Sequence, residues 1–357
     1  DTASGVPARL GEVPIEQAGF RGGYSTIDHI HAVNQLREKC KEYHKPLCIA
    51  FVDYEKAFDS IETNAVLTSL QKQGIENGYV EILADVYKDG STTTSLHKES
   101  RPIPICKGVR QGDTISPKLF TASLEDIFRN LNWEQRGISI NGKRISNLRF
   151  ADDVTLVAEK LEDLETCLNE LSVESKKRGL KINMEKTKIL TNNLPPHRQV
   201  KINNTEIEHV NSYIYLGQRL SLREKDMEGE MTRRIQCGWK VFNDNKLLLK
   251  SDIPITLKRK LFNQCILPAM TYACETWTMT KVMERRMSVA QRKMERSMLG
   301  IKWEEHKTNE WVRSKTKLQY IIEAVKKRKW TWPGHISRMS DNRWTTQLTD
   351  WRPMNGS

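Results

Sequence analysis

No stretch of this 357-residue chain approaches the roughly 20 consecutive apolar residues that a membrane-spanning helix requires. The first residues, DTASGVPARLGEVP, contain no charged leader followed by an apolar run. No secretory signal is therefore expected, and the protein is expected to act inside the cell, in nucleus or cytoplasm. Cysteine is sparse and scattered (Cys40, Cys48, Cys106, Cys167, Cys237, Cys265 and Cys274), with no CxxC pair and no accompanying histidine cluster. That pattern speaks against a disulfide framework and against structural zinc; most of these thiols are expected to be reduced core residues. Internal repeats and low-complexity tracts are absent. Apolar residues make up 38% of the chain and the mean hydropathy is -0.60, low for a compact enzyme but well above a disordered chain. The length is enough for two or more domains, each burying its own core.

Acidic residues are the minority charge, 45 against 57 Lys and Arg, which leaves a net charge of +12. Such an excess favours a polyanionic partner. It is concentrated between Lys281 and Lys329, where fifteen basic residues face six Glu, and eight of the nine Trp lie at or beyond Trp239. Two readings stand side by side. Either the basic residues are the solvated side of helices with a Trp-containing core, or they contact phosphates with aromatic rings nearby for stacking.

Three short segments occur in a fixed order: FVDYEKAFD (Phe51 to Asp59), VRQGDTISPKLF (Val109 to Phe120) and FADD (Phe150 to Asp153). Leu47 to Val52 is a short apolar run ending at Asp53, as expected of a strand buried on both faces. Ser116-Pro117 is expected to open a helix, with Ser as cap and Pro at the first position. Ser25 heads a capping pattern before Ile27, Ile30 and Val33, and Ala65 to Leu70 is expected in a helix closed by Gly74. Ile138 to Phe150 alternates about Asn141-Gly142, a strong hairpin signal. Phe150 to Ala158 is expected to continue as strand straight through the carboxylate pair. Leu161, Leu164, Leu168 and Leu171 mark a helix ending near Gly179. Lys181 to Leu190 and Val200 to Leu216 are expected as shorter strands separated by Pro195-Pro196, and beyond about residue 222 the character turns helical.

Carboxylates on neighbouring strands suit phosphoryl transfer. Two Mg²⁺ ions about 3.5–4 Å apart activate a 3′ hydroxyl and neutralise the leaving oxygen, and they take few protein ligands because waters and substrate phosphates fill the rest. Asp53 ends one apolar strand; Asp152 and Asp153 lie in another, flanked by Leu148, Phe150, Val154, Leu156 and Val157. Two charges within an apolar strand are costly unless compensated, and a metal is the simplest compensation. A strand-end turn and a solvated Asp-Asp turn are the plainer alternatives. Asp59 and Asp113 are expected to be structural.

With these segments in place, the chain resembles the reverse transcriptases of non-LTR (LINE-type) retrotransposons, in particular the endonuclease–reverse transcriptase polyproteins of animal genomes. EQAGFRGGYSTIDHI (Glu16 to Ile30) resembles their fingers segment, FVDYEKAFDS motif A, GVRQGDTISPKLF motif B, RFADD motif C, GLKINMEKTKIL (Gly179 to Leu190) motif D and YIYLG (Tyr213 to Gly217) the primer grip. MTYACETWTMT and QRKMERSMLG resemble the thumb and post-thumb region. The resemblance implies an α+β right-hand polymerase: partial fingers (1–45), an antiparallel palm with packed helices (46–220), a helical thumb (221–300) and a basic, Trp-rich C-terminal segment (301–357). It implies Asp53, Asp152 and Asp153 as ligands of two Mg²⁺ ions, or of Mn²⁺ in their place. Lys186 would be the motif D proton donor, with a solvated surface charge as the alternative. Phe58 would be a steric gate favouring deoxynucleotides, with a core Phe as the alternative. Arg110, Gln111 and Gly112 would contact the incoming nucleotide, and Tyr215 and Gly217 would position the primer. On the basic helix, Arg285, Arg292 and Lys293 would hold the primer–template duplex. The implied partners are an RNA template, a DNA primer or target, and dNTPs, with no membrane. The family carries more fingers upstream and continues beyond WRPMNGS, and Pro333 replaces the small apolar residue expected in KWTWPGH. These departures keep open a nucleic-acid-binding remnant that does not polymerise. A different palm enzyme, such as a nucleotide cyclase, has no reason to carry the RQG loop or the YLG segment.

Overall fold

The computed structural model describes residues 14–93, 95–96, 98–99, 103–192, 198–222 and 226–352. The Pro195-Pro196 break and the end of WRPMNGS lie outside the described residues. The chain forms two compact units, the first from 1–211 together with 342–357, the second from 212–341.

The first unit is built on a five-stranded sheet of β1 (Cys48–Val52), β2 (Asn147–Phe150), β3 (Asp153–Ala158), β4 (Lys188–Thr191) and β5 (Glu208–His209), in the order β5-β4-β1-β3-β2. Central β1 pairs antiparallel with both neighbours, Cys48 opposite Ala158 and Val52 opposite Val154 on one side, Cys48 opposite Thr191 on the other. All five residues of β1 are buried, which is why its sequence shows no alternation. Helices α1 (Thr26–Glu42), α2 (Ser116–Arg129) and α3 (Leu161–Lys176) accompany the sheet. Leu119, Phe120, Leu124 and Ile127 of α2 share one core cluster with Leu164, Leu168 and Leu171 of α3 and with Ala50 and Val52 of β1. Ser25 and Asp28 form the capping box of α1, the Asp28 carboxylate accepting from Ser25 N at 2.8 Å.

Two local expectations are corrected. Ser116 does not cap α2: it is the first helical residue, Ile115 stands at the cap, and the buried Ser116 hydroxyl has no hydrogen bond among the described residues. The strand expected to run through Phe150–Ala158 is instead a hairpin. Phe150 pairs with Asp153, leaving Ala151 and Asp152 as the turn, with Ala151 in the left-handed region at φ 58°. Apolar flanks on both sides of the pair hid the reversal, because the residues before and after the turn are equally buried.

The Asn141-Gly142 hairpin forms as its residues dictate, both at positive φ between Ile138–Ile140 and Lys143–Ile145. Gly137 stands at its base with φ +88°, where a Cβ would lie 2.0 Å from the Ile145 carbonyl oxygen. Gly137→Ala is expected to cost more than about 1 kcal/mol, seen as a lower melting temperature of the whole chain.

The last described residues return to the first unit. Helix α7 (Trp344–Asp350) lies on α1, with Arg343 paired to buried Asp28 at 3.2 Å, Lys39 donating to the carbonyls of Leu348 and Thr349, and Trp344 Nε1 donating to Glu16 at 3.1 Å. Nothing in the local sequence announces this return.

Among the described residues the second unit is helical apart from a hairpin of Tyr213–Tyr215 and Gln218–Leu220. The boundary expected after residue 220 would place that hairpin with the sheet; the observed division after Asn211 places it with the helices. Helices α4 (Asp226–Asp244), α5 (Lys281–Leu299) and α6 (Ile321–Ile336) enclose a methionine-rich core that includes Met231, Met270, Met283, Met287 and Met294. Trp277 is fully buried there, whereas Trp330 is 82% exposed. Pro333 does not end α6, which continues to Ile336. No helix among the described residues is long and apolar enough to cross a membrane.

Candidate active site

The site grows out of the centre of the sheet. β1 ends at Val52 opposite Val154, so the register carries Asp53 alongside Asp153 and next to the Ala151–Asp152 turn. Asp53 is anchored by its main chain: its N–H donates to Thr187 Oγ1 at 3.3 Å and its carbonyl accepts from Asn183 N at 2.8 Å. Its Oδ2 is buried without a hydrogen bond among the described residues. The Asn183 side chain accepts from the N–H groups of Glu185 and Lys186, both at 3.1 Å, an Asx turn that presents Lys186. Lys186 Nζ reaches Asp53 Oδ2 at 3.8 Å.

The three carboxylates feel one another. Surrounding protein desolvates Asp153 although the residue lies at an exposed edge, and the charges of Asp152 and Asp53 add to this, raising its pKa from 3.8 to about 6. Half-buried Asp152 is raised by desolvation, opposed by a backbone hydrogen bond and reinforced by Asp53. Among the described residues no group of three or more His, Cys, Asp or Glu side chains forms a ready-made metal cage. An open Mg²⁺ site needs only one or two carboxylates, and a buried Asp53 oxygen with no hydrogen bond among the described residues, beside two mutually repelling carboxylates, is a donor set that fits a hard cation.

Phe58 is half-buried and stacks on Phe120 with ring centroids 4.6 Å apart, and its carbonyl accepts from Val109 N at 2.8 Å. The loop after Val109 is exposed. Arg110 donates to the Val86 carbonyl at 2.9 Å, and Gln111 donates to Asp59 Oδ1 at 2.8 Å. Gly112 has φ +88° with open space where a Cβ would lie, so backbone conformation and not crowding favours glycine there. Asp113 accepts from Ile115 N at 3.2 Å, a turn role, while Asp59 accepts from Gln111 of the same loop.

In the second unit, Leu216 and Gly217 form a two-residue turn with both φ positive. Its carbonyls are held: Tyr272 OH donates to Leu216 O at 2.8 Å, and the Arg233 and Arg234 guanidinium groups donate to Gly217 O. Tyr215 is buried, whereas Gly217 of the turn is exposed. On α5, Arg285 and Lys293 are exposed, and half-buried Arg292 follows Arg285 by two helical turns on the same face. Sequence reasoning passed over Asn183, Thr187, Arg234 and Tyr272. Only Asn183, at a turn position, carried a local signal.

The reverse transcriptase (RNA-dependent DNA polymerase) family model matches residues 7–220. The chain belongs to that family. An uncharacterized transposon-derived protein of Caenorhabditis elegans is 35% identical over 224 residues, 60% of this chain and 80% of the relative. The Pol polyprotein of the type-1 retrotransposable element R2 of Nasonia vitripennis is 31% identical, over 58% of this chain and 22% of the polyprotein. The X-element RNA-directed DNA polymerase of Drosophila melanogaster is 23% identical, over 96% of this chain and 38% of the relative. The chain spans about a fifth to two fifths of the length of these two retrotransposon proteins. Among solved structures, apo telomerase from Candida tropicalis aligns over 94% of this chain and 58% of its own, with 13% identity and a TM-score of 0.43. The relatives place the chain with non-LTR retrotransposon polymerases, a family that binds nucleic acid and works with metal ions.

Proposed function

We propose that this reverse transcriptase domain extends a DNA primer on an RNA template with dNTPs, using Asp53, Asp152 and Asp153 as the acidic centre of a palm formed by the first unit. The observation that carries this is the register of β1, β3 and β2, which sets Asp53 beside a turn bearing two more carboxylates. Two Mg²⁺ ions, or Mn²⁺ in their place, would be held by these three residues and would supply charge neutralisation at the attacking and leaving oxygens. The chain's own part is to hold the carboxylates against their mutual repulsion, keep Asp53 immobile through Asn183 and Thr187, and hold a proton on Lys186 Nζ beside Asp53 for the leaving group. Phe58 stands as the gate against a 2′ hydroxyl, backed by Phe120, and Arg110, Gln111 and Gly112 as the nucleotide-side loop. The second unit acts as thumb: the Leu216–Gly217 turn as primer grip, and Arg285, Arg292 and Lys293 on phosphates. The protein works inside the cell, where template RNA and target DNA are found.

The test is extension of a DNA primer on an RNA template with dNTPs and Mg²⁺. Product that requires both template and metal supports the proposal; salt-sensitive RNA binding without any incorporation would instead support a non-polymerising remnant. A pH dependence follows from Asp153. With a pKa raised to about 6, this carboxyl is largely protonated at pH 5 and ionised at pH 7.5. Metal binding must displace that proton, so Mn²⁺ affinity is expected to rise across this interval by about tenfold for one displaced proton near its pKa, measured by electron paramagnetic resonance titration.

A further inference from the structure

The hairpin that bears Asp152 and Asp153 contains an anomaly. Ala151, a residue with a Cβ, sits in the left-handed region at φ 58° and is 6% exposed. Left-handed backbone costs a residue other than glycine about 1–2 kcal/mol. As the first turn residue, Ala151 also has an N–H outside the β2–β3 ladder, and a buried N–H without an acceptor is rare in native structures. A contact from outside the hairpin can offset both costs.

Residues 16–19 do so from the free edge of the sheet. Gln17 and Arg149 form a parallel bridge: Arg149 N donates to Glu16 O at 2.8 Å, and Ala18 N donates to Arg149 O at 2.9 Å. Gln17, 1% exposed, turns its side chain along the sheet toward the turn. Its Oε1 accepts from Gly19 N at 2.8 Å and from Ala151 N at 3.3 Å. The main chain lies equally close: a Cβ on Gly19 would lie 2.2 Å from Ala151 N and 2.9 Å from Ala151 Cα. The Trp344 indole, donating to Glu16 Oε1, fixes this segment from its other side. A single side-chain oxygen therefore satisfies the turn's buried N–H and ties the turn to a segment more than a hundred residues earlier in the chain.

We propose that Gln17 is a positioning residue for the acidic centre: its amide oxygen holds the Ala151–Asp152 turn in the left-handed conformation that brings Asp152 and Asp153 to Asp53. This rests on the active-site reading given above. Gln17 touches no substrate. It acts through the turn, as groups behind metal ligands do elsewhere.

The test uses the full chain and Mn²⁺ binding measured by electron paramagnetic resonance, with primer extension and melting temperature measured beside it. Gln17→Met keeps the volume and removes the acceptor. The expected result is Mn²⁺ binding weaker by about 10–100-fold, the range for groups that orient metal ligands, with a matching fall in extension rate and an unchanged KM for dNTP. Gln17→Glu keeps an acceptor oxygen and is expected to bind Mn²⁺ more tightly than Gln17→Met. If Gln17→Met does not fold, Gln17→Asn, which withdraws the amide by one methylene, is measured against the same expectation. Wild-type Mn²⁺ affinity in folded Gln17→Met or Gln17→Asn overturns the proposal. The underlying reading is judged separately by Asp152→Asn: if that change leaves Mn²⁺ binding untouched, the acidic centre itself is wrong, whatever Gln17 does.

Discussion

Asp53→Asn and Asp152→Asn are each expected to slow primer extension by roughly 10³-fold or more, about 4 kcal/mol of barrier, without unfolding the chain. Asp53 presents a buried oxygen with no hydrogen bond among the described residues, and it shares its surroundings with Asp152 and Asp153. Replacing one of the three with an amide removes a charge that a metal needs and introduces N–H groups where a cation would bind. The effect on stability should have the opposite sign. Relief of repulsion is expected to leave the melting temperature unchanged or higher, the pattern of a site that trades stability for function. In Asp152→Asn the pKa of Asp153 should fall from about 6 toward the ordinary carboxylate range, because one of the neighbouring charges that raise it is gone. Carboxyl titration by nuclear magnetic resonance checks this. An unchanged extension rate with either variant would remove these residues from the chemistry.

The second large effect is on stability. Arg149 of β2 is buried and pairs with buried Glu125 of α2 at 2.9 Å, with its guanidinium 4.2 Å from the centre of the Phe128 ring. Burial pushes the Arg149 pKa down, and the Glu125 charge offsets that. Removing one partner strands the other charge in the core. Arg149→Leu or Glu125→Leu is expected to cost about 3–5 kcal/mol, read from urea unfolding, whereas the double replacement should be much milder because neither charge is left alone. Glu125→Leu should hurt slightly less, since Arg149 keeps its cation–π contact with Phe128, whereas Arg149→Leu leaves Glu125 the longer 3.6 Å pair with Arg129. Equal costs for single and double variants would mean the pair is not the source of the effect.

Much of this protein is legible in its residues because the signals are local. The apolar run before Asp53 is a strand, the Asn141-Gly142 pair is a hairpin turn, and Ser25 with Asp28 is a capping box. The reverse transcriptase family is recognisable from the order and spacing of segments, properties of the polymer itself. Where local rules compete, local reading fails. Ser-Pro looked like a cap because Ser caps so often, yet Ile115 occupies that position. The apolar residues around Asp152 and Asp153 looked like one continuous strand because burial on both arms of a tight hairpin leaves no polar punctuation.

Sequence alone determined which elements form and in what order the acidic segments occur, since propensity, turn chemistry and hydrophobic pattern are carried by neighbours along the chain. Tertiary structure alone decided that Asp152 sits on a turn and that Gln17 satisfies its neighbour's N–H. It also decided that Arg149 finds Glu125 and that α7 returns to α1 through Arg343 and Asp28. These are hydrogen bonds and ion pairs between residues far apart in the chain. No local pattern encodes them, because each becomes favourable only when the packed sheet has excluded water and left a buried polar group in need of one particular partner.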